Sequence, residues 1–511
     1  MGSRRSFLTG SIAVAGTSLL PRGRLLAASN IRFAADPFSL GVASGYPTPD
    51  SVVLWTRLAP SPLEPGGGIA PDAIVPVTWE VATDERMRSV VRQGTAFATP
   101  DWAHSVHVEP TGLEASREYW YRFTSGGARS RIGRLRTAPA PRDALARMRI
   151  AVASCQQYEQ GYYTAYRHMV SDTPDLVVHV GDYIYELSWG NDLVRSHDAP
   201  ECYTLDDYRA RYALYKSDPD LAAAHAACPW LVTWDDHEVD NNYGSDYSEE
   251  NDDPQLALAR RAAGYKAYYE HMPLPRRAVP SGPYMRLHAS RAFGDLVSLF
   301  MLDQRQYRSQ LPCSGGRVAD CPELASEERT MLGERQERWL HGGLGSSRTK
   351  WNFMAQGTVM SHGEEQAKTG QMRMSDGWNG YVAARSRLMR FIDTQKVKNP
   401  VVLSGDVHVF LVSSLLLDDA DPASPVVASE LVTSSITSQG AGQAYLEQRR
   451  AANPRTLVGT GAQRGYLRLD VTPERLTADL VAVDTVKKPE SGRTTLGSFV
   501  VEAGRPVPVP A

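Results

Sequence analysis

"RIAVASCQQYEQGYYTAY", from Arg149 to Tyr166, opens on a short apolar run, stops at Ser154-Cys155 and continues as aromatic, polar sequence. A brief run of small and β-branched residues with such a boundary reads as a buried strand. The pattern then repeats. "GYYTAYRHMVSD" reads as a helix, and "PDLVVHVGDYIYE" (residues 174–186) as a second buried strand ending in a polar cluster. "TLDDYRARYALYKSDPDLAAAHAAC" is predicted helical, and "PWLVTWDDHEVDNNY" is strand into loop. "LVSLFMLDQRQYR", "KWNFMAQGTVMSH" and "NPVVLSGDVHVF" are further apolar runs, each ending in Asp, Gln, His or Gly. Strands alternating with helices, with polar groups at the strands' C-terminal ends, are the pattern of a layered α/β fold.

Upstream, the texture differs. From about Phe38 to Thr137 short alternating runs such as "SVVLWTRL", "PVTWEVAT", "HSVHVEP" and "REYWYRFTSG" are separated by Pro, Gly and Asp turns. That spacing predicts a small all-β, fibronectin-like sandwich over residues 36–138, with its aromatic residues in the core. The Pro- and Ala-rich stretch from Arg136 to Met148 reads as a linker to a catalytic unit over residues 148–503.

The chain has 511 residues, 42% of them hydrophobic and 22% charged, which fits a two-domain globular protein. A net charge of -3 leaves no basic footprint for nucleic acid. No later apolar run is long enough for a transmembrane anchor. The first residues, "SRRSFLTGSIAVAGTSLL", place Arg4 and Arg5 before a weakly apolar stretch. This resembles a twin-arginine signal occupying residues 1–29, so the twin-arginine translocation machinery is an expected partner and a periplasmic or extracellular location is expected. An exported protein can form disulfides. Cys313 and Cys321 can close a Gly-rich loop and Cys202 can pair with Cys228, leaving Cys155 as the odd one of five.

Four strand ends carry the chemistry: Ser154-Cys155, Gly181 to Glu186, Trp234 to Glu238, and Gly405 to His408. Singly, a Gly-Asp turn or an Asp-His-Glu run is an ordinary cap or salt-bridge cluster. Together, the carboxylates, imidazoles, thiol and phenols are the ligand types of a two-metal centre that clamps a phosphoryl group. Arg305 and Arg308, in "LDQRQYR", are candidate phosphate contacts or else surface charges. Ser361-His362 is a further candidate site loop.

At this point the sequence resembles the PhoD-type alkaline phosphatases and phosphodiesterases of the calcineurin-like metallophosphoesterase superfamily. "ASCQQ", "PDLVVHVGDYIYE", "TWDDHEVDNNY", "GERQERWL", "SDGWNGY", "LSGDVHVF" and "SELVTSSIT" look like successive family motifs, and the resemblance covers the mature chain. It implies a four-layer αββα sandwich behind the N-terminal β-domain. It implies iron(III), Fe(3+), held by Cys155, Asp182, Tyr185 and His408, with Asp182 bridging to calcium, Ca(2+), and Asp406 as a calcium ligand. "WDDHE" stands where the superfamily usually has "GNHE". Asp236 thus takes the place of the metal-linked Asn, and His237 that of the phosphate-contacting or leaving-group-protonating His. Whether Asp235 or Asp236 is the ligand stays open, with Asp235, His237 and Arg305 as substrate contacts. "SCQ" replaces the usual "DxH" of the first strand, and a thiolate with a phenolate favours iron(III) on ligand type.

The implied activity is hydrolysis of small or polymeric phosphomonoesters, phosphodiesters or both, by metal-activated hydroxide. A phospholipase D-like phosphodiesterase on the same site is an alternative. Two other classes stand against it: a hydrolase with Cys155 as nucleophile and His237 or His408 as base, and a non-catalytic envelope binding protein. Several carboxylates near Cys155 argue against the first, because they raise a thiol's pKa. The complete set of matched ligands argues against the second.

Overall fold

The computed structural model describes residues 24–25 and 31–511, apart from 249–252, 362, 368–369 and 454. The expected signal, save for a two-residue strand at Arg24–Leu25, lies outside the described residues, as does His362.

The strand read first is Met148–Ala153, and it pairs in parallel with Leu176–Val180, which pairs in parallel with Pro229–Thr233. On its other side Met148–Ala153 meets Arg464–Val471 antiparallel, and three more antiparallel strands follow to the edge at Arg505–Pro510. Prolines 506, 508 and 510 punctuate that edge, where missing N–H donors discourage further pairing.

A second sheet of seven strands has a parallel centre of Val297–Met301, Trp351–Ala355, Pro400–Ser404 and Val426–Val432. Five of the central strands, Leu176–Val180, Pro229–Thr233, Val297–Met301, Trp351–Ala355 and Pro400–Ser404, are buried along their whole length, which is why they read as continuous runs and not as alternation. One hydrophobic core joins the two sheets. It contains Val152, Val178 and Leu231 from the first, and Leu299, Phe353, Val401 and Leu431 from the second. The outer face of the second sheet packs Met354, Val402 and Ala428 against Leu340 and Leu344 of helix Gly333–Ser346 and Leu388 and Met389 of helix Val382–Thr394. Tyr166, Tyr208, Tyr212 and Leu221, on helices beside the first sheet, belong to the joint core.

The segment predicted as one helix after Thr204 is two, Leu205–Lys216 and Pro219–Ala227. Pro219 cannot continue the first helix and occupies the first turn of the second, while Asp218 caps it by accepting from the N–H groups of Asp220 and Leu221.

The N-terminal strands differ from a self-contained sandwich. Ala73–Ala82, Val90–Ala98, Glu118–Ser125 and Gly133–Arg136 lie in a six-stranded sheet, with Tyr119, Tyr121 and Phe123 pointing into the core. The facing layer, Val42–Gly45, Val53–Arg57 and Ser105–Val108, is the end of the large sheet itself: Ser44 and Gly45 pair in parallel with Pro229 and Trp230. Gly45 permits the join, because a Cβ there would lie 2.6 Å from the Pro273 carbonyl oxygen and 2.7 Å from that of Trp230. A contact spanning nearly two hundred residues leaves no local signature in sequence.

Cys313 and Cys321 form a disulfide. The pairing of Cys202 with Cys228 is corrected: both are free and buried. Cys202 donates its N–H to the Glu186 carbonyl beyond the outgoing end of Leu176–Val180, whereas Cys228 sits beside Asp175 and Val177 at the incoming end. A five-residue strand separates them by roughly 17 Å, and a disulfide requires Cα atoms within about 7 Å.

Candidate metal centre

Both sheets deliver their loops to one place. The turns after Met148–Ala153, Leu176–Val180 and Pro229–Thr233 come from the first sheet, and the turn after Pro400–Ser404 from the second. Their backbone is held in an unusual conformation. Cys155, Asp182, Asp406 and His408 have φ of 57°, 57°, 67° and 55°, in the left-handed region. Each such non-glycine residue costs about 1 kcal/mol or more, and this kind of strain gathers at functional sites. Two glycines let the turns close up. A Cβ on Gly181 would lie 2.5 Å from the Asp235 Cβ, and one on Gly405 would lie 2.7 Å from Ser154 Oγ.

Ligand atoms of Cys155, Asp182 and His408 lie within 4.8 Å of one another, a group able to hold a metal ion. The Tyr185 hydroxyl joins them, 2.9 Å from Asp182 Oδ2 and 3.0 Å from His408 Nε2, and it accepts from Ser438 Oγ at 2.9 Å. His408 Nδ1 lies 2.7 Å from the Gln439 carbonyl and donates to it, the arrangement that in a neutral imidazole turns the Nε2 lone pair toward Tyr185. Trp189 stacks on the His408 ring. Burial, then the nearby Asp182, push the Cys155 thiol well above its ordinary pKa. Such a thiol is a poor nucleophile, and its thiolate would need a cation beside it.

A second group shares Asp182 and adds Asp236 and His237, again within 4.8 Å. Asp236 accepts the N–H groups of His237 at 3.1 Å and Asn242 at 2.8 Å. Burial opposes its charge, but Arg305 and His237 hold its carboxyl well below the usual range. His237 Nδ1 lies 2.7 Å from Glu186 Oε2. Burial disfavours the imidazolium, but Glu186, Asp236 and Asp182 outweigh it and raise its pKa well above the ordinary histidine value. Asp182, Asp236, His237, Asp406 and His408 all line one cavity of about 420 Å³, together with Trp189 and Asn242. Burial, then Asp376 and Asp236, raise the Asp406 carboxyl. So many acceptors in one place are at odds with one another unless a cation joins them. Asp182 Oδ1 makes the point: it is buried without a hydrogen-bond partner among the described residues.

Asp235 and Asp236 are separated by their partners. Asp236 faces the cavity, while Asp235 accepts from Arg305 Nε at 2.5 Å. The expectation of Arg305 as a phosphate contact is corrected. Arg305 is 0% exposed, and its Nη1 and Nη2 donate to Asp376 at 2.9 and 3.0 Å. Arg308 is likewise sealed, donating to the carbonyls of Asp376 and Asn242. The two form a buried strut behind the site. Ser361 is buried away from the cavity, with its N–H on Glu430.

Glu186, Asp376, Ser438, Gln439 and Trp189 went unassigned in sequence. Glu186 had a signal, an acid closing the Gly181–Glu186 cluster, and Asp376 stood in the quoted stretch "SDGWNGY"; Ser438 and Gln439 had none. Glu186, Glu201 and Asp240 also gather within 4.8 Å, with Arg260 bonded to Glu201 at 2.6 Å and to Asp240 at 3.1 Å.

The PhoD-like phosphatase family profile matches residues 150–480, and the profile of the PhoD-like phosphatase N-terminal domain matches residues 25–139. Alkaline phosphatase D of Bacillus subtilis is 45% identical over 514 residues, spanning 98% of this chain and 87% of that protein. A solved structure of PhoD superposes with a TM-score of 0.91 at 44% identity, covering 94% of this chain and 93% of that one. The chain belongs to the PhoD-like phosphatase family, enzymes that hydrolyse phosphoric esters.

Proposed function

We propose that this phosphatase hydrolyses phosphomonoesters, phosphodiesters or both at a mixed-metal centre. Iron(III) is held by Cys155, Asp182, Tyr185 and His408, and calcium by Asp182, Asp236 and Asp406. The carrying observation is Asp182: it gathers with Cys155 and His408 on one side and with Asp236 and His237 on the other, in the cavity that Asp406 also lines, and its Oδ1 is buried without a partner among the described residues. Thiol, phenol and imidazole suit iron(III), while an all-carboxylate set suits a hard ion such as calcium. When bound, the ions supply Lewis acidity for the phosphoryl oxygens and lower the pKa of water.

The chain's own groups do the rest. His237, its Nδ1–H fixed on Glu186, turns Nε2–H to the cavity, where it hydrogen-bonds a phosphoryl oxygen or donates its proton to the departing alcohol oxygen. The Glu186 charge keeps that proton available. Trp189, on the cavity wall beside His408, gives the leaving group an aromatic surface. The helix layers outside the paired sheets fit the four-layer metallophosphoesterase architecture. Arg4 and Arg5 support export by the twin-arginine route, to the periplasm or the exterior. Among the described residues, no helix is long and apolar enough to cross a membrane.

The test is removal of metal. Protein stripped of iron and calcium, with loss verified by elemental analysis, should lose hydrolysis of a chromogenic phosphate ester and regain it with both metals. Full turnover by verified metal-free protein sinks the reading.

A further inference from the structure

Two glutamates beneath the site have no part in the chemistry above. Glu238 and Glu430 are both 0% exposed, and neither lines the cavity. Each carboxylate is instead closed by three donors. Glu238 Oε1 accepts the Tyr183 N–H at 2.7 Å, and Oε2 accepts those of Asp182 at 3.2 Å and Asp235 at 2.9 Å. One side chain thus ties the backbone of the Asp182 turn to that of the Asp235-Asp236 turn. In the other sheet Glu430 ties the backbone at Met360 and Ser361 to the Ser404 side chain, at the end of the strand that leads into the Asp406 turn. Its Oε1 accepts from the Met360 N–H and the Ser404 hydroxyl, and its Oε2 from the Ser361 N–H, all at 2.7 Å. Ser404 stands two residues before Asp406.

We propose that Glu238 and Glu430 are positioning residues, one per sheet: Glu238 fixes the backbone of the turns carrying Asp182 and Asp236, and Glu430 anchors, through Ser404, the strand end from which the Asp406 turn departs. A buried charge is expensive unless several donors surround it, and donors aimed at a carboxylate are among the strong hydrogen bonds. The donors here come mostly from turns, which have no ladder of their own to hold them. The strained φ of Asp182 and Asp406 is maintained only if the surrounding backbone is over-determined. Glutamine at either position keeps the shape but offers one acceptor oxygen, and its NH2 then confronts N–H donors.

The proposal rests on the site holding metal, so wild-type protein is measured first for bound iron and calcium. Glu238→Gln and Glu430→Gln are then compared with Glu270→Gln. Glu270 is equally buried but bonds to Arg209 between two helices, away from any ligand turn. Calcium affinity by equilibrium dialysis, iron content, and kcat separately from KM on a chromogenic phosphate ester are the readouts. Folded E238Q and E430Q are expected to bind metal about 10–100-fold more weakly, with a loss of similar size in kcat, while E270Q keeps wild-type affinity. Wild-type affinity and kcat in folded E238Q and E430Q overturn the proposal. So does an equal loss in E270Q, or failure of both site variants to fold while E270Q folds, since either assigns the carboxylates to the framework at large. A wild type without metal sinks the metal reading itself.

Discussion

The Nδ1 atom of His237 sits 2.7 Å from a carboxylate oxygen of Glu186, and Glu186 is sealed from solvent while His237 opens on the cavity. The pair joins two loops 51 residues apart, one at the end of each neighbouring parallel strand. It sets both the direction and the proton of an imidazole that lines the cavity.

Glu186→Gln removes the foremost carboxylate that raises His237. The imidazolium then loses its proton at lower pH than in wild type. The alkaline limb of the kcat profile should move to lower pH, and kcat at a fixed alkaline pH should fall, with the roughly 10²–10⁴-fold of a full general-acid contribution as the upper bound. A pH–rate series on both proteins checks this; an unmoved limb contradicts it.

Arg305 separates a structural role from a substrate role. Its guanidinium bridges Asp235 and Asp376, so Arg305→Ala strips the buried Asp235 of its cation and leaves Asp376 with Arg308 alone. Breaking a buried pair costs about 3–5 kcal/mol, and lysine cannot copy the fork. Both R305A and R305K should lower Tm and reduce activity together. Wild-type Tm with only a raised KM would mark Arg305 as a phosphate contact.

Lys216 predicts a pH dependence of stability independent of the metals. It is buried under the Trp55 ring at 4.2 Å, and burial lowers its pKa from 10.5 to about 7. Between those values the unfolded chain binds a proton that the native protein does not. Stability therefore rises as pH increases from about 7 to 10.5 and is flat below 7 for this group. The full effect is about 5 kcal/mol at most. Lys216→Met should stabilise the protein at neutral pH and flatten that slope, read by denaturant titration across the range. An identical slope in the variant would contradict it.

The parts legible in sequence were those with local causes. Val177, Val178 and Val180 lie in a strand buried on both faces, so apart from His179 the run is apolar until Gly181 and Asp182 break it. Cys155, Asp182, Asp236 and His408 stood out because each directly follows such a run. What escaped is made by distance. Arg305 meets Asp376 across 71 positions, and Glu238 reaches back 56 to Asp182. Ser44 pairs with Pro229, so the N-terminal strands extend the catalytic sheet and do not stand apart. The pairing assigned to Cys202 and Cys228 failed because proximity along two helices says nothing about which end of a strand each one reaches.

The central claim is that Cys155 is a metal ligand in a centre built on Asp182, and the most direct measurement is the metal content of Cys155→Ser beside wild type. Elemental analysis of both purified proteins should find iron and calcium in wild type. The variant should have lost iron and phosphate-ester hydrolysis, with its circular dichroism unchanged. A folded C155S with normal iron content would contradict the account.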